Sequence, residues 1–184
     1  MSLTRREFLT ALAAAAATPS LAAEAPAGTA RYLVEMLVFR QPGPAPVAMP
    51  VAPLPIITPI PGRIETLPES AWQLTGFEQA ILRHGDYPVL AHTAWAALVP
   101  PNGRTTARLE DVLKEGAPLA GSVGLQRGQY LFLGVDVDYL AEPGISYGLR
   151  EKRRVKFGER HYFDHPAFGV IAQVVPSRGG TAAD

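Results

Sequence analysis

Most of the chain follows a period-two pattern, in which apolar and polar residues alternate as they do on a strand with one buried face. The longest example is 129–139, where the apolar residues on one face are Leu131, Leu133, Val135, Val137 and Tyr139. Residues 122–126 form a shorter run before it, and Arg127-Gly128 between them predicts a tight hairpin turn with a positive φ at the glycine. Residues 31–40 are apolar on both faces, which predicts an interior strand. Further extended segments are predicted over 89–95, from Ser146 onward and over 168–175.

A period of three to four residues predicts the helices. Thr75-Gly76-Phe77-Glu78 has the sequence of a capping box, and Gly85 fits a left-handed helix end. Phe77, Ala80 and Ile81 are then expected to face the core. Residues 108–115 fit either a second helix or an irregular strand. Together the elements predict an α+β fold: a mainly antiparallel sheet of about five or six strands, with one or two helices packed on one face.

Three segments lie outside the regular pattern of the single α+β domain, which we predict to span 31–176. Residues 1–23 resemble a twin-arginine-like export signal peptide, with an arginine pair ahead of a short alanine-rich run; a general secretory signal is the alternative. Residues 42–61 contain eight prolines, a density that opposes both helix and ladder pairing. This insertion is either a loop or a proline-rich recognition segment. Residues 177–184 form a small polar tail that we expect to be flexible.

Composition narrows the possible functions. The 17 basic and 17 acidic residues balance, so no global positive field favours nucleic acid as a partner. The lack of cysteine excludes disulfides, thiolate metal sites and a cysteine nucleophile. After the signal peptide, no segment is apolar for the roughly 20 residues that a membrane-spanning helix needs. No nucleotide-binding or nucleophile motif is present, so the sequence predicts no catalytic residue, cofactor or metal.

Four cations alternate along the predicted strand after Gly148, and they are Arg150, Lys152, Arg154 and Lys156. Successive members would lie about 7 Å apart on one face, close enough to repel one another at physiological salt. Asp136 and Asp138 on a neighbouring strand could neutralise them, and so could external carboxylates or phosphates. A solvated face that protects a sheet edge from aggregation is the other interpretation.

A second cluster of polar groups surrounds Pro166 and consists of His161, Tyr162, Asp164 and His165. Imidazoles and carboxylates serve as metal ligands and as acid–base groups, so a metal-dependent hydrolase site built on His161, Asp164 and His165 is one hypothesis. The segment lacks the helical ligand spacing of an HExxH motif. The simpler hypothesis is a structural turn, in which Asp164 accepts backbone amides and the proline holds His165 extended.

Two aromatic residues, Tyr130 and Phe132, are predicted to lie on the face of their strand that points away from the core. Aromatic rings in such a position can stack on the apolar face of a sugar. If the helix covers that face instead, the pair belongs to the core. The remaining histidines, His84 and His92, are interpreted as structural.

The end of the chain also resembles a known family. The arginine-rich strand is followed by the block Glu159-Arg160-His161-Tyr162-Phe163-Asp164-His165-Pro166-Ala167-Phe168-Gly169. This order is similar to the Glu-x-His-Tyr-x-Asp-His-Pro-x-Phe-Gly block that ends the CsiV family, periplasmic peptidoglycan-binding proteins of Gram-negative bacteria. Residues 32–40, residues 87–95, and residues 119–122 together with 129–131 resemble earlier parts of the family in the same order. The chain departs from the family pattern at Phe132, at Ala96-Ala97 and in the proline-rich insertion.

The resemblance implies a non-enzymatic protein of the periplasm that binds peptidoglycan. It also implies support of a class A penicillin-binding synthase through that synthase's outer-membrane lipoprotein activator. On this hypothesis the basic strand meets stem-peptide carboxylates, Tyr130 and Phe132 stack on glycan sugars, and the cluster at Pro166 belongs to the same ligand- or partner-binding surface. The alternative is an envelope adaptor that binds only a protein partner.

Overall fold

The computed structural model describes residues 27–43 and 63–177. In this part of the chain there are nine strands, two α-helices and one 3-10 turn. The strands are β1 (Ala30–Arg40), β2 (Ile64–Thr66), β3 (Val89–Val99), β4 (Arg104–Arg108), β5 (Leu119–Arg127), β6 (Leu131–Glu142), β7 (Ile145–Val155), β8 (Arg160–His165) and β9 (Phe168–Pro176). The helices are α1 (Thr75–His84) and α2 (Leu109–Val112), and the 3-10 turn is Glu69–Ala71.

The strands form two antiparallel sheets. The five-stranded sheet has the order β2-β3-β1-β9-β8, and the four-stranded sheet has the order β4-β5-β6-β7. Apolar side chains from both sheets, such as Met36 and Val170 from one and Leu133 and Val135 from the other, form a single buried cluster. The alternation along β6 is explained by this core, because its apolar face is covered by the other sheet.

The predicted fold class was therefore right about antiparallel pairing but wrong about the layers. The described residues are mainly β, with two sheets in place of one sheet backed by helices. No residue of α1 is buried, so this helix does not supply the main cover of a sheet. The physical reason is that alternation shows that a strand has one buried face but does not show which element buries it.

The interior position predicted for residues 31–40 is confirmed, because β1 pairs with β3 on one side and β9 on the other. One face of β1, with Val34 and Met36, enters the core between the sheets. The opposite face includes the buried residues Glu35 and Leu37. The chain before α1 lies against this second face, since Leu74 is fully buried and its backbone amide binds the Glu35 side chain.

The capping box predicted for α1 is wrong, although the left-handed end at Gly85 is confirmed. Leu74 stands at the N-cap position, with no side-chain cap hydrogen bond, and the Glu78 carboxylate binds His92 instead. Phe77 was expected in the core but is 37 % exposed, with the Arg160 guanidinium over its ring. The segment predicted over 108–115 contains only the four-residue helix α2.

The hairpin predicted around Arg127-Gly128 exists, but its turn differs from the prediction. Strand β5 continues to Arg127 and β6 begins at Leu131, so the loop has three residues. The N–H of Gly128 donates to the carbonyl of Tyr130. Gly128 is not among the glycines with positive φ, so the positive φ predicted at this glycine is wrong.

The predicted signal peptide at 1–23, most of the proline-rich insertion at 42–61 and the tail beyond residue 177 lie outside the described residues. Within the described ranges, no helix has both the length and the apolar character to cross a membrane.

Candidate ligand-binding face

Three of the four basic positions predicted from the sequence lie on the side of the four-stranded sheet that points away from the core, here called the outer face. Core residues such as Val123, Leu125, Leu133 and Val135 alternate with members of this face on β5 and β6. Its members are Arg104, Thr106, Ser122, Gly124, Gln126, Phe132, Gly134, Asp136, Arg150, Lys152 and Arg154. Strand pairing sets these side chains in rows across the sheet. Phe132 lies opposite Gln126 on one side and Arg154 on the other, and Gly134 lies opposite Gly124 and Lys152.

Arg150 is neutralised by the protein itself. Its Nη2 donates to both carboxylate oxygens of Asp138, at 2.8 and 2.9 Å, and the Asp138 side chain is only 2 % exposed. Its Nε lies 2.5 Å from Oδ1 of Asp136, although this oxygen is not aligned for a hydrogen bond. Burial raises the pKa of Asp136, against the opposing effect of the Arg150 charge. The three groups carry a net charge of −1 when ionised, so this end of the face does not attract an anion.

Lys152 and Arg154 have no carboxylate partner among the described residues. The Lys152 ammonium donates to Oε1 of Gln126 at 2.6 Å and lies 5.2 Å from the centroid of the Phe132 ring. The Arg154 guanidinium lies 3.5 Å from the centroid of the Tyr130 ring. Cation–π contacts of this kind hold the charged groups in place. They also occupy ring faces that the sugar-stacking hypothesis needs.

The other interpretation of the aromatic pair, as core beneath a helix, is contradicted. Helix α1 contacts β3 in the five-stranded sheet, and Tyr130 is exposed. The fourth cation, Lys156, lies beyond the end of β7. There it pairs with Glu159 at 3.2 Å, so the four cations do not share one strand face.

The cluster at Pro166 is a strand followed by a two-residue turn. Because β8 alternates, Tyr162 and Asp164 lie on the opposite face from His161 and His165. The Tyr162 hydroxyl donates to Asp164 Oδ1 at 2.7 Å, and burial together with this bond raises the pKa of Tyr162 to about 12. Asp164 was expected to bind backbone amides, but its partners are the side chains of Tyr162 and Gln41.

The two histidines of this cluster serve different local roles. The His165 Nδ1 accepts the N–H of Ala167 at 3.1 Å, which closes the turn, and burial lowers the pKa of His165. The Nε2 of His161 is buried and has no hydrogen-bond partner among the described residues. Among the described residues no group of three or more His, Asp or Glu side chains is placed to hold a metal ion, so the geometry gives no support to the metal-dependent hydrolase hypothesis.

Sequence reasoning missed a buried charge cluster on the other sheet. The His92 imidazole lies between two carboxylates, 2.9 Å from Glu35 and 3.0 Å from Glu78, and its side chain is 2 % exposed. The Glu35 carboxylate also accepts the backbone N–H groups of Gln73 and Leu74. The cluster thereby ties the segment before α1 to the centre of the five-stranded sheet.

The two central groups of this cluster stabilise each other's charged form. Burial alone would raise the pKa of Glu35, but the hydrogen bonds from His92, Leu74 and Gln73 outweigh burial and lower it. Burial alone would lower the pKa of His92, but the bonds to Glu35 and Glu78 outweigh burial and raise it. We therefore expect the imidazolium between the two carboxylates to persist to a higher pH than that of an ordinary histidine.

These directions predict how the free energy of unfolding depends on pH. The contribution of His92 to the free energy of unfolding is complete below 6.5, the ordinary pKa of histidine, and is lost as the pH rises through the raised pKa. The contribution of Glu35 is present above 4.5, the ordinary pKa of its carboxyl group, and is lost as the pH falls through the lowered pKa. Urea unfolding at a series of pH values measures both limbs. In His92→Gln we expect the alkaline decline to disappear, and an unchanged decline would contradict the assignment.

Residues 60–177 match the family model described as "Peptidoglycan-binding protein, CsiV", and the chain belongs to this family. The matched residues run from β2 to β9 and include the whole outer face. The comparisons with curated proteins and with solved structures found no match.

Proposed function

We propose that this chain is a periplasmic peptidoglycan-binding protein whose binding surface is the outer face of the four-stranded sheet. The proposal is carried by one observation, that Lys152 and Arg154 are held in place by aromatic rings and have no carboxylate partner among the described residues. The peptide stems of peptidoglycan end in free carboxylates, which are suitable partners for such cations. Membership of a family named for peptidoglycan binding supports this choice of ligand.

The expected affinity of a single contact is low. A solvent-exposed ion pair contributes about 1 kcal/mol or less, and salt screens it further. A sacculus presents many stems side by side, so we expect measurable retention on the polymer when several weak contacts act together. Binding by this mechanism should decline steeply between low and high salt.

The wider role is proposed from the same family. The chain would be exported through its residues 1–23 and bind through a domain spanning 31–176, with no catalytic activity or cofactor of its own. It would support a class A penicillin-binding synthase by contacting that synthase's outer-membrane lipoprotein activator. Co-purification of the lipoprotein with the tagged chain from crosslinked cells tests this contact. Absence of the lipoprotein from the eluate would contradict it.

Co-sedimentation with purified sacculi tests the binding itself. The mature protein, beginning at residue 24, is expected to pellet at low salt and to be released at high salt. In the double variant Lys152→Glu/Arg154→Glu we expect the retained fraction to correspond to at least about tenfold weaker binding, because two attractive contacts of up to about 1 kcal/mol each become repulsive.

The matched control is Arg83→Glu/Lys114→Glu. It changes the net charge by the same amount at two exposed positions away from the outer face. It should pellet like the wild type. A wild-type protein that stays in the supernatant at low salt would refute peptidoglycan binding. Equal losses in the two double variants would show that only net charge matters.

A further inference from the structure

Two glycines lie opposite each other in the middle of the outer face. Gly124 on β5 pairs with Gly134 on β6, and neither has a positive φ. A Cβ at Gly134 would meet nothing closer than the carbonyl oxygen of Gly124, at 3.8 Å. Glycine inside a strand costs about 0.5–1 kcal/mol relative to alanine, so the fold itself gives no reason for Gly134. A glycine at this position would be explained by a ligand that approaches the backbone closely, since any side chain would block it.

The glycines form the floor of a trough of about 350 Å³. Arg104 and Thr106 on β4 form one wall, and Lys152 on β7 forms the other. This volume lies at the lower end of the roughly 300–1,000 Å³ that is usual for ligand sites. It suits a thin ligand, such as a short extended peptide, better than a complete disaccharide with its peptide.

Two cations line this trough, one from each wall. Arg104 donates from Nε to Oγ1 of Thr106 at 3.1 Å, and this Nε lies 3.8 Å from the position of a Cβ at Gly124. Lys152 reaches across β6 to Gln126, which is the strand partner of Arg104. Neither cation has a carboxylate partner in the described residues. Two positive groups that line one trough without a carboxylate partner repel each other, and an anion bound between them would relieve the repulsion.

The opposite end of the trough differs in charge. Asp136 and Arg150 line it, and together with Asp138 they carry a net negative charge when ionised. An anionic group of the ligand therefore belongs at the Gln126 end only. The polarity of the trough fixes the direction in which a ligand with one terminal carboxylate would lie.

We propose that the trough binds the stem peptide of peptidoglycan, with a free carboxylate between Arg104 and Lys152 and the peptide extended over Gly124 and Gly134. This inference rests on the proposed function and narrows its ligand from the polymer to the peptide. The muramyl carboxyl group is consumed in the amide bond to the peptide, so the glycan strand that carries stems offers no free carboxylate. The Tyr130 ring that could stack on a sugar is covered by Arg154.

The test uses Gly134→Val, which fills the floor without changing charge. We expect its binding to sacculi, and to a soluble disaccharide-tetrapeptide titrated by NMR, to weaken at least tenfold. Its urea midpoint should be equal to or higher than that of the wild type, because valine favours strands. Gly76→Ala is the control away from the outer face, because Gly76 lies on α1 and a Cβ there meets nothing within 4 Å. Arg104→Gln is the second variant and should weaken binding several-fold whether or not Gly134→Val folds.

The outcomes separate this inference from the proposed function. If the wild type pellets with sacculi and both trough variants pellet equally well, the trough is not the site, while peptidoglycan binding stands. If the wild type binds a chitooligosaccharide, which carries neither peptide nor carboxylate, as tightly as it binds the disaccharide-tetrapeptide, the ligand is the glycan and the inference is overturned. If the wild type does not pellet at all, both proposals fail. Retention that requires the peptides and is lost in both variants supports the inference.

Discussion

Arg150→Glu is expected to lower the free energy of unfolding by about 3–5 kcal/mol, which is the usual cost of leaving a buried ionic group without its partner. The substitution would place three carboxylates together, since Arg150 binds Asp138 through two hydrogen bonds and lies beside Asp136. Asp138 is almost fully buried and cannot turn to solvent. A loss of this size is a large fraction of the 5–15 kcal/mol that is typical of a whole domain. Urea unfolding, followed by tryptophan fluorescence, measures the loss.

The matched control is Arg154→Glu, on the same face of the same strand. Arg154 contacts the exposed ring of Tyr130 and has no carboxylate partner in the described residues, so we expect a change of less than about 1 kcal/mol. The same substitution should weaken sacculus retention. If Arg150→Glu were as stable as Arg154→Glu, the ion-pair cluster would not be structural, and Arg150 would return to the ligand-binding set.

The sequence identified the basic face, but pairing register decided which cation is free. The pairing of β6 with β7 sets Arg150 opposite Asp136 and Lys152 opposite Gly134. An irregularity between Leu140 and Glu142 shifts this register by one residue. Without the shift, Asp136 would lie opposite Glu151, and Asp136 and Arg150 would then lie on opposite faces of the sheet. No residue type in this segment predicts such a bulge, so the alternation of side chains could not distinguish the two registers.

The number of sheets could not be predicted from the sequence either, because it too depends on which strands come together in space. The apolar positions of β6 were read correctly, because period two fixes which side chains share a face. The cover of that face comes from strands distant in sequence, including β1 and β9. Loss of the expected helical cover also changes the interpretation of Tyr130 and Phe132. Their rings are available to neighbouring cations because no helix packs over them in the described structure.

The buried cluster around His92 left only a weak signal in the sequence. Glu35 is the one charged residue in the otherwise apolar run 32–39, and a buried carboxylate requires partners. Those partners are 57 residues away at His92 and 38 to 39 residues away at two backbone amides. The sequence could have indicated that Glu35 was unusual. It could not have indicated that the chain before α1 folds back to meet it.

Glu35→Ala is accordingly expected to destabilise the protein by about 3–5 kcal/mol, the cost of breaking a buried charged pair. The substitution leaves the His92 imidazolium with Glu78 alone, and the buried amide of Leu74 loses its acceptor. An unsatisfied buried amide by itself costs about 1–3 kcal/mol. Glu65→Ala is the control, because the Glu65 side chain is 69 % exposed and its ion pair with Arg31 should contribute no more than about 1 kcal/mol.

Hydrogen exchange of the Glu35→Ala variant locates the damage. Because the carboxylate anchors the segment before α1, the amides of Gln73 and Leu74 should lose protection before those of β5 and β6 do. This order is expected because, in the described part of the chain, the hydrogen bonds of the cluster come from β1, β3, α1 and the segment before α1 and not from the four-stranded sheet. Uniform loss of protection across both sheets would show that Glu35 stabilises the molecule as a whole and does not act as a local anchor.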